Sequence, residues 1–218
     1  MLFDYDAYGE FIIGILNRIC IVRTEQLVKA LMNTYVDMSA DRAGVILRSL
    51  QRDNRLLMSS DGWTVTYGAY LKRTRNKFFD NLVYGMPYRI KEPFDVYVTN
   101  DDRNASDLFW IIIDMLPDSI DFMKSSPPWN MLFITKKSEK KKQKLYLLVT
   151  IEEGVEHLQI PVLVNNTDYN NENIKDDLRM IALFKNMESF EIADTSLFSY
   201  SCVLDNTKDR HFRLVKKN

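Results

Sequence analysis

The sequence is poor in the residues on which phosphate-binding and secreted proteins depend. Its 218 residues include 7 glycines and 2 cysteines. The few glycines form no GxxxxGK[ST] and no GxGxxG pattern, which argues against a loop that cradles phosphate. Cys20 and Cys202 form neither a CxxC pair nor a disulfide framework. This cysteine usage favours a reducing, cytoplasmic compartment.

Residues for catalysis and metal binding are equally scarce. His157 and His211 are the two histidines, and neither has a neighbour at metal-ligand spacing. The sequence contains no HExxH and no GxSxG pattern, and neither cysteine has a local activating residue. We therefore expect no catalytic residue, no metal and no cofactor, and we interpret both histidines as exposed side chains.

Long apolar runs and an excess of positive charge are also missing. The longest apolar stretch, near LFWIIIDMLP, is about half a membrane span and is interrupted by Asp114. The segment MLFDYDAYGEFIIGILNR places acids before its apolar run and offers no small-residue cleavage site, so we expect no signal peptide and no membrane partner. The net charge is −1, so any surface for nucleic acid would have to be a local patch.

The first 70 residues predict three helices and a hairpin. Apolar residues at helical spacing predict a first helix from Asp6 to Cys20. Thr24 is positioned to cap a second helix, and Ser39 to cap a third that ends near Asn54. The expected inward stripe of the third helix is Ala43, Val45, Ile46 and Leu50.

The third helix is followed by a hairpin signal. Leu56–Met58 and Trp63–Thr66 are rich in strand-forming residues, and Ser60-Asp61-Gly62 between them predicts a turn. We expect Trp63 to fill the core. Three helices followed by a hairpin within about 65 residues is the winged helix-turn-helix pattern, in which a helix can enter the major groove of DNA.

An excess of basic residues around the third helix and the hairpin supports a DNA-binding role for this pattern. Between Arg42 and Lys77, eight basic residues stand against only Asp53 and Asp61. Arginine can contact both phosphates and the edge of guanine, so double-stranded DNA is the expected partner. An acid in the first turn, Asp41, favours the helix but would repel phosphate. The predicted DNA-binding residues are Arg42, Arg48, Arg52, Arg55, Ser60, Lys72, Arg73 and Arg75.

The second half predicts a small α/β or α+β domain, preceded by a polar connector that contains some helix at 76–84. Asn104 or Ser106 is expected to cap a buried helix that Pro117 ends. WNMLFIT, KLYLLVTI and LQIPVLV are predicted strands, IKDDLRMIALFKNM is a predicted helix, and FEIAD and FSYSCVL are predicted final strands. The lysine-rich KKSEKKKQ joins the first two strands and is interpreted as a solubilising turn, with a phosphate-binding finger as the alternative.

One pattern in this half suggests a nuclease. Pro117-Asp118, followed by a hairpin and a helix, follows the order of the restriction-endonuclease-like fold. That chemistry needs two acids to bind Mg²⁺ and a lysine near the attacked phosphate. Glu152 and Glu153 could supply an acid, but Gly154 and Val155 stand where a lysine is needed. A degenerate fold of this kind therefore fits better than an active nuclease.

The combined layout resembles the replication-relaxation proteins of bacterial plasmids and integrative elements, and winged-helix proteins of Gram-positive mobile elements. The residues that carry the resemblance are RTEQLVKAL, SADRAGVILRSLQRDNRLL and DGWTVTYG, about a fifth of the chain, and, more loosely, LPDSIDF followed by LYLLVTIEEG. The resemblance implies DNA binding linked to plasmid replication or transfer, without implying a catalyst, and it gives Glu152 the place of the acid that ends a strand.

The sequence therefore predicts an α+β protein with a winged helix-turn-helix at 1–75, a connector at 76–103 and an α/β domain at 104–218. The expected function is that of a non-catalytic DNA-binding regulator or accessory factor, with a homodimer as the default assembly because DNA sites often mirror two-fold symmetry. A protein-binding winged helix and a metal-dependent nuclease are the alternatives.

Overall fold

The computed structural model describes residues 5–71, 98–115, 120–125, 129–135, 144–166, 178–207 and 210–216. They form a mixed α+β chain with two sheets, which confirms the expected α+β class. The chain divides into an N-terminal unit, Met1–Ser106, and a C-terminal unit, Asp107–Asn218. None of the described helices has the length and apolarity needed to cross a bilayer.

Residues 5–66 of the N-terminal unit form three helices and a small antiparallel sheet, and residues 67–71 are also helical. Its strands lie in the order β1-β3-β2, with Val65 of the central strand opposite Ile21 on one side and Leu57 on the other. The elements are α1 (Tyr5–Ile19), β1 (Ile21–Arg23), α2 (Thr24–Thr34), α3 (Ala40–Arg52), β2 (Leu56–Met58) and β3 (Trp63–Thr66).

The first helix agrees with its predicted bounds to one residue at each end. It ends where Cys20 adopts a left-handed backbone, φ 79°, while its N–H still donates to the Leu16 carbonyl at 2.8 Å. The chain then enters β1, a three-residue strand that the sequence did not predict. A strand this short carries too few side chains for a period-two pattern.

The expected cap of the second helix is wrong by one residue. Thr24 is the first helical residue, and Arg23 holds the cap position. The Arg23 N–H donates to Oε1 of Gln26 at 2.8 Å, as a capping box does. The Thr24 hydroxyl instead donates to the Gly62 carbonyl at 3.1 Å and shares a 2.7 Å hydrogen bond with the Thr64 hydroxyl.

The third helix begins as predicted, with the Ser39 hydroxyl accepting the Arg42 N–H at 3.2 Å. One member of its expected inward stripe is wrong, because Val45 is 46% exposed and Leu47 is buried in its place. Residues three and four apart share a helix face, and Val45 lies outside that spacing. The buried residues of α3 are Ala43, Ile46, Leu47 and Leu50.

The predicted hairpin is confirmed, with both strand ranges as expected. Gly62 has φ 85°, and its N–H donates to the Ser59 carbonyl at 3.2 Å to close the turn. Trp63 is 2% exposed and packs with Ile21, Leu57, Val65 and Val98, as the expected core position requires.

The helix in the next described stretch of the chain, α4 (Asn100–Met115), begins earlier than expected. Asn104 and Ser106 lie inside it, so neither is its cap. The helix is preceded by Thr99, whose N–H and hydroxyl donate to Oδ2 of Asp102 at 3.1 and 2.8 Å. The Asp102 N–H donates back to the Thr99 hydroxyl at 3.2 Å. This reciprocal pair has the pattern of a capping box. Pro117 lies outside the described residues.

The described residues of the C-terminal unit form a six-stranded sheet in the order β4-β5-β6-β7-β8-β9. The β6-β7-β8 pairs are parallel and the other neighbours are antiparallel. The elements are β4 (Ile120–Lys124), β5 (Met131–Thr135), β6 (Lys144–Ile151), α5 (Glu156–Asn166), β7 (Leu178–Phe184), α6 (Met187–Ile192), β8 (Tyr200–Thr207) and β9 (Arg210–Val215). Strands β5, β6 and β8 were predicted, whereas β4 and β9 were not.

Three predictions in this unit are wrong. LQIPVLV lies in α5, because a parallel β6–β7 pair needs a crossover and this segment supplies it as a helix. IKDDLRMIALFKNM was predicted as a helix, but its described part forms β7, which is buried almost continuously. FEIAD begins inside α6, which the Asn186 side chain caps by accepting the Ser189 N–H at 2.8 Å.

The chain divides into two units after Ser106, and most of the predicted connector between the two domains cannot be compared with this division. The connector at 76–103, including its expected helix at 76–84, falls outside the described residues except for 98–103. The lysine-rich segment KKSEKKKQ also lies outside the described residues. The same holds for most of the asparagine-rich segment NNTDYNNEN that follows α5.

Candidate nucleic-acid interface

The exposed face of α3 is the centre of the candidate site. The buried stripe of the helix faces the core, so Arg48 and Arg52 project one turn apart on the exposed side. With Val45 and Ser49, these two arginines line a shallow surface groove. Arg52 donates to the Ser49 hydroxyl at 3.3 Å and lies 3.7 Å from the Asp53 carboxylate. Both charged side chains are mostly exposed, so solvent screens this pair and it binds Arg52 weakly.

Arg42, predicted as a contact residue, is held against the first helix. Its Nη2 donates to the Tyr8 hydroxyl at 3.3 Å, and its guanidinium carbon lies 5.6 Å from the centre of the Tyr8 ring. The Tyr8 ring packs edge-on against Tyr35 with ring centres 4.7 Å apart. Arg42 therefore joins α3 to α1 through its contacts with Tyr8, independently of any binding partner.

Arg55, also predicted as a contact residue, forms an ion pair within the chain. Its Nη2 lies 2.6 Å from Oε1 of Glu10 on α1. A Cβ atom on Gly9 would lie 2.8 Å from the Arg55 guanidinium, so the missing side chain at Gly9 makes room for this pair. The Glu10 carboxylate offsets the positive charge of Arg55 on this side of the unit.

The hairpin turn carries Ser60 at an exposed position, as the sequence predicted for a wing. The turn is held internally, since the Ser59 hydroxyl accepts the Trp63 N–H at 2.9 Å. The Trp63 carbonyl in turn accepts the Ser59 N–H at 2.8 Å. The hairpin therefore presents Ser60 from a backbone held by these hydrogen bonds.

A residue that the sequence did not single out supports the same turn. The Arg23 guanidinium lies 3.8 Å above the Trp63 ring, and its Nη1 donates to the Asp61 carbonyl at 2.8 Å. Arg23 therefore holds the hairpin turn from the junction of β1 and α2. No local pattern could have identified it, because its partners are about 40 residues away in sequence.

Three predicted contact residues, Lys72, Arg73 and Arg75, lie outside the described residues and stay predictions. Asp41, the acid expected near the contact face, is exposed in the first turn of α3. The described part of the site thus consists of Arg48 and Arg52, the Ser60 turn and its support from Arg23.

The residues considered for nuclease chemistry can be placed only in part. Asp118 lies outside the described residues. Glu152 follows β6, and its N–H donates to Oε1 of Gln159 at 3.0 Å, while Glu153 is exposed. In the described part of the chain, no group of three or more His, Cys, Asp or Glu residues could hold a metal ion. Neither β5 nor β6 contains an Asp or Glu.

The histidines and cysteines differ in their surroundings. His157 is exposed, as expected, but His211 is half-buried and stacks on Trp110 with ring centres 3.5 Å apart. Cys20 and Cys202 are unbridged. Burial raises the pKa of the Cys202 thiol to about 12, so it is an inert core residue at neutral pH.

Comparison with known proteins adds one similarity. No protein-family model and no curated protein matches the chain. Among solved structures, it is similar to the restriction endonuclease FokI bound to DNA, at 11% identity and a TM-score of 0.28. The match covers 90% of this chain and 42% of that one. A TM-score of this size does not establish a common fold.

Proposed function

We propose that the N-terminal unit is a winged helix-turn-helix that binds double-stranded DNA through α3 and the β2–β3 wing. The observation that carries the proposal is the exposed pair Arg48 and Arg52, one turn apart on a helix whose opposite face is buried. A helix fits the major groove, and arginine binds guanine edges and phosphates. The exposed Ser60 turn is suited to a phosphate contact beside the helix.

Contacts within the chain support a smaller proposed set of DNA-contacting residues. Arg42 and Arg55 are engaged with Tyr8 and Glu10 on α1, so we assign them mainly to positioning α3. Arg48 and Arg52 are the described residues from which we expect direct DNA contacts.

We further propose that the C-terminal unit is a degenerate restriction-endonuclease-like domain without catalytic activity. The order of α4, the antiparallel meander β4-β5-β6, the crossover α5 and the parallel β7 supports this topology. Gly154 and Val155 follow Glu152 and Glu153 where a lysine is needed, which supports the loss of metal-dependent catalysis. A metal-dependent nuclease built on Asp118 and Glu152 is the competing interpretation.

A role as a regulator or accessory factor of a mobile element extends this proposal, and it rests on the sequence resemblance to replication-relaxation proteins. The proposed assembly is a homodimer, because paired half-sites on DNA match a two-fold protein. Sedimentation velocity over a range of concentrations tests that assembly, and a species with the mass of one chain at every concentration would contradict it.

A protein-binding winged helix is the second candidate function. The exposed Val45 lies about one turn before Arg48 and gives the α3 groove an apolar wall. Asp41 and Asp53 at the two ends of the helix would repel phosphate but would suit a mixed-charge protein surface.

The test compares two double variants that each remove two positive charges. Arg48→Ala with Arg52→Ala alters the candidate face, and Arg213→Ala with Lys216→Ala is the matched control on exposed residues of the C-terminal unit. Binding to a random-sequence duplex is followed by fluorescence anisotropy at several salt concentrations. If both arginines contact phosphates, the salt slope of log K falls by about 1.8 in the first variant only.

Equal DNA affinity and salt slope in both variants would overturn the assignment of α3. Selection of sites from random DNA with the same proteins then separates base recognition from phosphate binding. The proposal expects an enriched sequence with the unaltered protein and loss of that enrichment in the Arg48/Arg52 variant. Metal-dependent cleavage of the duplex that is lost on Asp118→Asn would favour the nuclease.

A further inference from the structure

The C-terminal unit has a concentration of exposed apolar side chains on two helices. Among the described residues, twelve large hydrophobic side chains are exposed, and five of them lie on or next to α5 and α6. Isolated exposed apolar residues are ordinary, but two of the five, Val164 and Ile192, line one cavity and so can belong to a single interaction surface. The five are Val155, Leu158, Val162, Val164 and Ile192.

A cavity of about 570 Å³ opens between these helices. Ile160, Pro161 and Val164 of α5 form its apolar wall, and Ile192 and Ala193 form the wall on the α6 side. Its size lies within the range of cavities that enclose a ligand or an anchoring side chain. This cavity, with the exposed Val164 and Ile192 in its walls, is called the α5/α6 groove below.

The two chain segments that form the groove carry carboxylates and no Lys or Arg, and His157 also lines the cavity. Residues 152–166 and 187–194 contain no Lys or Arg. They contain six carboxylates, which are Glu152, Glu153, Glu156, Glu188, Glu191 and Asp194. Glu156 and Asp194 line the cavity itself. Glu156 is 3% exposed and accepts a hydrogen bond from the Ser189 hydroxyl, so α5 and α6 are joined at the base of the groove.

This charge distribution selects among possible occupants. A second copy docked by the same face would set its carboxylates against those of the first. DNA and anionic lipid surfaces would be repelled for the same reason. A segment with an apolar face and flanking Lys or Arg would satisfy both the cavity and its acidic surroundings.

We propose that the α5/α6 groove docks a basic amphipathic helix of a partner protein. One large apolar side chain of that helix fills the cavity against Val164 and Ile192, and its flanking cations pair with the carboxylates around the groove. This is the groove-binding mode of helix recognition, with anchors at helical spacing. The groove lies in the C-terminal unit, so this inference does not depend on DNA binding by α3.

The test uses two synthetic peptides of about 18 residues, or five helical turns. One carries leucines on one face and lysines on the other, and its twin has glutamate in place of every lysine. Titration of the full chain is followed by fluorescence anisotropy of the labelled peptide. We expect the lysine peptide to bind at least tenfold more tightly than the glutamate twin, and its affinity to fall as salt is raised.

Two variants locate the site. Val164→Lys and Ile192→Lys place a cation in the groove, and Met123→Lys is the matched control at a similarly exposed apolar residue on β4. All three change exposed side chains, so folding should be preserved, and circular dichroism checks it. We expect both groove variants to weaken binding of the lysine peptide at least tenfold and the control to leave it within twofold.

Four results would overturn the proposal. These are equal binding of the two peptides, absence of binding by the unaltered chain, equal affinity in the groove and control variants, and a monomer–dimer equilibrium that the groove variants abolish. The last would identify a second copy as the occupant. Binding to neutral phosphatidylcholine vesicles that Ile192→Lys removes would identify a membrane instead.

Discussion

Gln26 offers a stringent test of how the N-terminal unit is held together. Its side chain is fully buried and makes three hydrogen bonds. Oε1 accepts the Arg23 N–H at 2.8 Å and the Ser106 hydroxyl at 2.7 Å, and Nε2 donates to the Ser106 carbonyl at 2.5 Å. One side chain therefore joins the start of α2 to the first half of α4.

The substitution Gln26→Leu keeps the volume of the side chain close to the original and removes all three bonds. Each bond contributes about 1 kcal/mol net, and the partners it leaves unpaired in a buried site raise the cost. We expect the free energy of unfolding to fall by about 3 kcal/mol. Gln51→Leu, at a half-buried position near the end of α3, is the control and should change it by less than about 0.5 kcal/mol.

Hydrogen exchange of amides in residues 24–34, read by mass spectrometry, gives the opening free energy of this unit separately from the rest of the chain. Ser106→Ala removes one of the three bonds, so a double-mutant cycle with Gln26→Leu should show a coupling of about 1 kcal/mol. A loss below about 1 kcal/mol for Gln26→Leu, or strictly additive substitutions, would refute this account of the Gln26 bonds.

Three further predictions follow from single contacts. The hydrogen bond from Ser189 lowers the pKa of Glu156 below 4.5, against the effect of burial. The ionised carboxylate therefore stabilises the fold above pH 4.5, and this stabilisation is lost as the pH falls through the lowered pKa. Urea unfolding at a series of acidic pH values should show a smaller loss of stability with falling pH in Glu156→Gln. Iodoacetamide at pH 8 should modify the partly exposed Cys20 and spare Cys202 in native protein, as mass spectrometry would show, and equal modification would contradict the burial of Cys202. Thr99→Ala should lower the free energy of unfolding by about 1 kcal/mol, measured in urea, and an unchanged midpoint would exclude a capping role.

Local signals made most of the N-terminal unit predictable. The Ser39 cap and the Gly62 turn depend on residues within four positions of each other, and the structure has both as expected. The exposure of Arg48 and Arg52 follows from helical periodicity alone. The engagement of Arg55 by Glu10 does not, because the pair closes across 45 residues.

The secondary structure of the C-terminal unit was less predictable from the sequence, and the reason is physical. A parallel strand that is covered on both faces loses the alternation by which strands are recognised, so the apolar run in β7 was mistaken for a helix. Pro161 and the β-branched residues around it favoured a strand at α5. There, the need to cross from β6 to the parallel β7 outweighed local propensity.

The order of the six strands bears on how the chain is made. Each strand from β5 to β9 lies beside the strand that precedes it in sequence. A ribosome releases the chain from its N-terminal end at about 5–20 residues per second. Each strand therefore emerges when the edge that it will join has already been synthesised. The sheet can grow in the direction of translation, without a central gap that must wait for a distant segment.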